Sequence, residues 1–240
     1  MSDALSNPLP APAPSLTILY TYGLHGRLDA LPRLYTLIKR VRSSESNPVI
    51  LLDLGESCRR ELWLCEVTTG RAMLVALDAM GYDAFYIAPA DPLYTDALTF
   101  GKLRATILTP LLSDCSADSA SLLLTKHGHA GQSLSVQITT MLIDHQTASA
   151  DLTVQIAPDH AESVSVDIAR RTLLLTGNSQ NDDILLGRLA IDFAPFRIAQ
   201  HERIKLSTDE SPDATLSSVV EFVESEARYA SSYKATRSQK

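Results

Sequence analysis

The chain has little of what several function classes require. Cysteine is scarce: 240 residues contain only Cys58, Cys65 and Cys115. Three cannot all pair within one chain and none falls in a CxxC, so no disulfide framework is expected. This usage suits a reducing compartment, and a cytoplasmic location is expected. Long apolar runs are also missing, since no stretch approaches the roughly 20 uninterrupted apolar residues that cross a bilayer. No membrane contact is expected. Residues 1–15, MSDALSNPLPAPAPS, have neither the basic nor the apolar region of a secretory signal, and their four prolines predict a flexible, extended lead-in. Positive charge is in deficit, with 21 Lys and Arg against 28 Asp and Glu and a net charge of −7. A nucleic-acid surface normally shows a concentrated basic face, so that partner class is excluded. Lys39-Arg40-Val41-Arg42 is read as the solvated end of a helix.

What the chain does have is apolar content, 45% of all residues, enough for one large core. Its organising stretch is LTILYTYGLHGRL at 16–28, an apolar run that ends in a Gly-flanked polar turn containing His25. Such a run predicts a buried strand, and the turn would hold His25 at the carboxyl edge of a sheet, where open α/β folds place ligands. Residues 29–42 carry Leu31, Leu34, Leu37, Ile38 and Val41 at helical spacing, with Asp29 as the expected cap. Val49-Ile50-Leu51-Leu52 then predicts a second buried strand running into Asp53-Leu54-Gly55-Glu56-Ser57. Strand, helix, strand implies a parallel unit.

Farther on, 61–80 is a helical pattern broken at Thr69-Gly70, and Ala105–Leu108 before Pro110 is expected as a short strand. Leu122–Thr125 and Leu134–Ile143 predict a hairpin around KHGHAGQ, whose His127 and His129 are read as a solvated turn. Cys58 and Cys65 are read as inert thiols. Trp63 is read as core packing, with a cap over the mouth of the site as the alternative. Residues 207–230 predict a C-terminal helix capped near Ser207 or Ser211, followed by a frayed tail at 231–240.

The turn motifs carry a resemblance. Thr21-Tyr22-Gly23-Leu24-His25-Gly26-Arg27 is similar to the T-N-D-L-H-G-R of calcineurin-like metallophosphoesterases, in the branch of the 5′-nucleotidases and UDP-sugar hydrolases. LLDLGES at 51–57 resembles their L-D-A-G-D, and Gly81-Tyr82-Asp83-Ala84 their approach to a third strand ending in G-N-H-E, here Ala88-Pro89-Ala90-Asp91. LTVQIAPDH at 152–160 sits where relatives read a strand and G-H-x-H, and Leu186-Gly187-Arg188-Leu189 matches their closing strands. The resemblance spans about 16–206 and implies a four-layer α/β/β/α sandwich with two central mixed sheets.

It implies a damaged metal site as well. Carried across residue by residue, the first metal would be held by Gly23 (a lost ligand), His25, Glu56 in place of Asp, and His160. The second would use Glu56, Pro89 (lost), His145 and Pro158 (lost), and Ala90 replaces the His that protonates the leaving group. Two dications roughly 3.5–4 Å apart need an anionic bridge and several further ligands. The expectation is a pseudoenzyme with no cofactor, acting as a binding or assembly module for a protein partner of unidentified kind. The alternative is a weak phosphoester hydrolase holding one zinc, manganese or iron ion on His25, Glu56 and His160, with His145 the weaker candidate.

Overall fold

The computed structural model describes residues 15–88, 91–92, 97–114, 120–128, 133–140, 150–157, 164–177 and 183–238, with backbone only for Ala97, Thr99 and 233–238. In chain order the elements are β1 (Ser15–Thr21), a 3-10 turn (Leu28–Ala30), α1 (Leu31–Ser44), β2 (Val49–Asp53), α2 (Trp63–Thr68) and α3 (Arg71–Ala79). Next come β3 (Ala84–Tyr86), α4 (Ala97–Arg104), β4 (Leu111–Leu112), β5 (Ser121–His127), β6 (Ser133–Thr139) and β7 (Leu152–Ala157). The chain continues through β8 (Val164–Asp167), β9 (Thr172–Thr176), β10 (Leu185–Phe193), β11 (Phe196–Lys205) and α5 (Ala214–Ser238).

Two mixed sheets result. One has the order β11-β10-β1-β2-β3-β4, with β1 to β4 parallel and β10 and β11 antiparallel. The other has the order β5-β6-β7-β9-β8, in which β6, β7 and β9 are parallel. The sheets face each other across one apolar interior: Leu16, Ile18, Ile50, Leu52, Leu189 and Ile191 from the first meet Val136, Ile138, Val154, Ile156, Leu173 and Leu175 from the second. Intervening residues such as Leu19, Leu51 and Phe85 point the other way, into a core shared with the flanking helices. Burial on both faces explains why β1 and β2 are continuous apolar runs, whereas β6 and β7 alternate because only one face is covered.

Several expectations need correction. Ala105–Leu108 is not a strand: Ala105 and Thr106 continue the turns of α4, Leu108 is 95% exposed, and the strand that pairs with Phe85 lies beyond Pro110 at Leu111. Asp29 does not cap α1, which follows the 3-10 turn directly and has Pro32 in its first turn. Its basic end is partnered rather than merely solvated, because Lys39 and Arg40 pair with Asp213 and Glu210 ahead of α5. α5 starts after Asp213, whose carboxylate accepts the Leu216 N–H at 2.8 Å, and its backbone runs through Ser238 into the stretch read as a tail. Trp63 is 45% exposed and Leu62 40%, so neither is core; only Leu64 of that trio is buried.

Candidate functional site

The site is built where β1 and β2 end side by side. Past the strands, the two loops keep the parallel ladder going: Leu54 N–H donates to Thr21 O, Gly23 N–H to Gly55 O, His25 N–H to Glu56 O and Gly26 N–H to Ser57 O, at 2.7–3.1 Å. This pairing forces left-handed backbone at Gly23, His25, Gly26, Gly55 and Glu56. Glycine takes that conformation freely; His25 at φ 51° and Glu56 at φ 53° hold it against steric resistance. Strain of this kind persists only where the surroundings impose it, and it concentrates at sites. Its consequence here is that the two side chains meet, with His25 Nε2 3.2 Å from Glu56 Oε2 and both largely shielded from solvent.

Beneath the pair lies a buried polar layer. Asp53, 1% exposed, accepts hydrogen bonds from the hydroxyls of Thr21 at 2.8 Å and Ser57 at 2.7 Å and from Gly55 N–H at 3.2 Å. Burial raises its carboxyl to about 6, although those three donors pull it down. Thr21 Oγ1 also meets the buried Tyr82 hydroxyl at 2.9 Å, and burial raises the pKa of that phenol. Asp91, 3% exposed, accepts backbone N–H groups from Ala88 at 2.9 Å and from Glu56 and Cys58 at 3.1 Å. Burial pushes it up to about 7, the Asp53 charge adds to this, and the three backbone donors oppose it. Asp91 thereby clamps the loop after β2 to the loop after β3.

Two further contacts shape the surroundings. A Cβ on Gly177, just after β9, would fall 2.1 Å from the Tyr22 ring, so Tyr22 lies flat on this glycine and joins the carboxyl edges of the two sheets. Because Ala157 pairs with Thr176, β7 ends at the same edge. Cys58 and Cys65 are not inert thiols: they form a disulfide with Cα atoms 5.7 Å apart, a pairing made feasible because the turn at Arg59–Leu62 folds α2 back over the loop.

The structure therefore brings together His25 and Glu56 from the expected ligand set and places Gly23 beside them without a side chain. His145, Pro158, His160, Pro89 and Ala90 lie outside the described residues, as does His129. Among the described residues, no group of three or more His, Cys, Asp or Glu side chains is placed to hold a metal ion. The described residues alone do not make a two-metal centre: Asp53 and Asp91 are committed to internal donors, and His25 and Glu56 face each other at hydrogen-bond distance. Sequence reasoning missed Asp53 and Asp91 as organisers of the site. For Asp53 the available signal was its position at the end of the apolar strand β2, where a carboxylate must find donors or lose its charge.

No family model matches the chain, and no curated protein matches it in sequence. Solved structures do match in fold. The calcineurin-like phosphoesterase YfkN from Bacillus subtilis superposes with a TM-score of 0.64 at 12% identity, covering 91% of this chain and 99% of that one. The 5′-nucleotidase precursor from Thermus thermophilus gives 0.65 at 10% identity, over 90% of this chain and 59% of that one. The 5′-nucleotidase from Candida albicans gives 0.61 at 12%, over 91% and 58%. This chain thus spans about three-fifths of those nucleotidases and has the fold of calcineurin-like phosphoesterases and of their 5′-nucleotidase branch.

Proposed function

We propose that the protein is a non-catalytic relative of these phosphoesterases, a pseudo-phosphatase whose fold serves in the cytoplasm as a binding or assembly module for a protein partner. The observation that carries this reading is the contact itself: His25 Nε2 and Glu56 Oε2 face each other at 3.2 Å, beside Gly23 in the position of a lost ligand. A dication would have to separate the two side chains and find further donors. The buried carboxylates Asp53 and Asp91 cannot turn toward it without abandoning three hydrogen bonds each, and every buried donor left unpaired costs about 1–3 kcal/mol.

A second reading keeps one ion on His25, Glu56 and His160 and a weak phosphoester hydrolase activity. It is supported by the common edge at which β7 and the His25 turn end. Turnover of p-nitrophenyl phosphate, bis-p-nitrophenyl phosphate and nucleoside monophosphates, with manganese or zinc added, separates the two. The proposal expects wild type to equal His25→Ala at background. Metal-dependent turnover that His25→Ala abolishes would establish the hydrolase instead.

A further inference from the structure

We propose that the Cys58–Cys65 disulfide is a redox-operated staple that sets the position of the His25–Gly26 turn. Both ends of the bond engage the site. Cys58 sits in the loop clamped by Asp91, to which its N–H donates at 3.1 Å. Cys65 Sγ forms the wall behind the turn: a Cβ on Gly26 would fall 2.8 Å from it and 2.9 Å from Leu62 Cδ1. The turn is seated against sulfur and Leu62 with no slack.

The segment between the cysteines is built to move. Arg59, Arg60, Glu61, Leu62 and Trp63 are all exposed, and one turn hydrogen bond, from Leu62 N–H to Arg59 O at 3.2 Å, precedes α2. α2 has only six residues, and it ends at Thr69 and Gly70, two consecutive left-handed residues that form a natural hinge. The disulfide is the covalent tie between this strap and the site.

Reduction by a dithiol breaks the S–S bond through a mixed disulfide. Two electrons and two protons leave the dithiol, which closes to its own cyclic disulfide, and Cys58 and Cys65 become thiols. The sulfurs then need a non-bonded separation of roughly 3.5–4 Å in place of a bonded one near 2.0 Å. With Gly26 already in contact, that displacement drives either the turn or the strap outward, and His25 moves relative to Glu56. Both cysteines are buried, so a reductant reaches the bond only when the strap opens. Exchange with an oxidised disulfide, which takes up two electrons and two protons, closes the bond again and restores the turn against Cys65. None of this depends on whether the site hydrolyses anything.

The test uses the full chain with Cys115→Ser, oxidised or treated with dithiothreitol. Three readouts are needed: mass-mapped alkylation, tryptic cleavage after Arg59 and Arg60, and the NMR resonances of labelled histidine rings. The expected result is a Cys58–Cys65 link in the oxidised protein. On reduction, cleavage becomes at least about tenfold faster, as for a segment released to local opening. The His25 resonances shift, while those of His201, which lies on β11 and is hydrogen-bonded to Tyr20, stay in place. The Cys58→Ser, Cys65→Ser double variant should reproduce the reduced state, and if it does not fold the reductant titration decides alone. Failure of the link to form under oxidised dithiol, or unchanged cleavage and His25 signals on reduction, overturns the proposal.

Discussion

Asp91 Oδ2 lies 3.1 Å from the backbone nitrogen of Glu56, a residue held at φ 53°. A carboxylate that is nearly inaccessible to solvent thus fixes the strained backbone whose side chain reaches His25. The relationship makes Asp91 an organiser of the site rather than a ligand in it, and gives the first prediction. Asp91→Ala orphans two buried N–H groups and a partly buried third, and should lower stability by about 2–4 kcal/mol, read from the urea midpoint. The His25–Glu56 pairing should be lost with it, seen as changed His25 ring resonances, whereas a midpoint within error of wild type would remove Asp91 from this role.

The two buried carboxyls predict an unusual pH dependence. Asp53 is raised to about 6 and Asp91 to about 7, both above their unfolded value of 3.8. The fold favours the protonated acids, so their contribution is fully present below about pH 4 and is lost as pH rises through 6 and 7. For Asp53 alone, the rise from 3.8 to about 6 is on the order of 3 kcal/mol. Glu45 and Asp213, whose values are lowered, contribute equally at pH 5 and pH 8, because their stabilisation is lost only as pH falls below the ordinary carboxylate range. The urea midpoint should therefore be higher at pH 5 than at pH 8, with the slope reduced in Asp53→Asn.

Two glycines predict opposite outcomes for the same substitution. Gly187 lies opposite Tyr20 across β1 and β10, and a Cβ there would fall 2.1 Å from the ring. Gly187→Ala should cost at least about 2 kcal/mol through forced repacking. Gly101 is in α4 with nothing within 4 Å of a built Cβ. Gly101→Ala should stabilise by about 0.5–1 kcal/mol, because alanine loses less backbone freedom in a helix. Thermal melts of both variants check the contrast.

Asp213 predicts a capping effect. It accepts the Leu216 N–H at the start of α5, and its backbone carbonyl accepts the Ser217 N–H. Asp213→Ala should cost about 1 kcal/mol, and Lys39→Ala clearly less, because the lysine side of their pair is solvated. Urea midpoints of the two variants, taken side by side, check the order.

Much of the frame was legible in the chain. β1 and β2 stand out as apolar runs because both of their faces are buried, and Thr69-Gly70 marks the break between α2 and α3 because only left-handed backbone fits there. The His25 and Glu56 turns were legible from glycine spacing. Other features depend on contacts between residues far apart. Nothing local to Asp91 says that it will collect three N–H groups from the loops around it. The pairing of Cys58 with Cys65 required α2 to fold back, which no cysteine count reveals. Ala105–Leu108 has strand-like composition, yet the partner strand β3 selects the residues beyond Pro110. β8 and β11 were not legible, because their exposed alternate positions dilute the apolar signal.

On the function proposed above, the His25–Glu56 site takes up no catalytic metal. Elemental analysis by mass spectrometry on tag-free protein, before and after loading with manganese or zinc and dialysis, tests it most directly. The expected result is less than about 0.1 equivalent of either metal, at the level of background binding. Close to one equivalent or more, lost in His25→Ala, would contradict it.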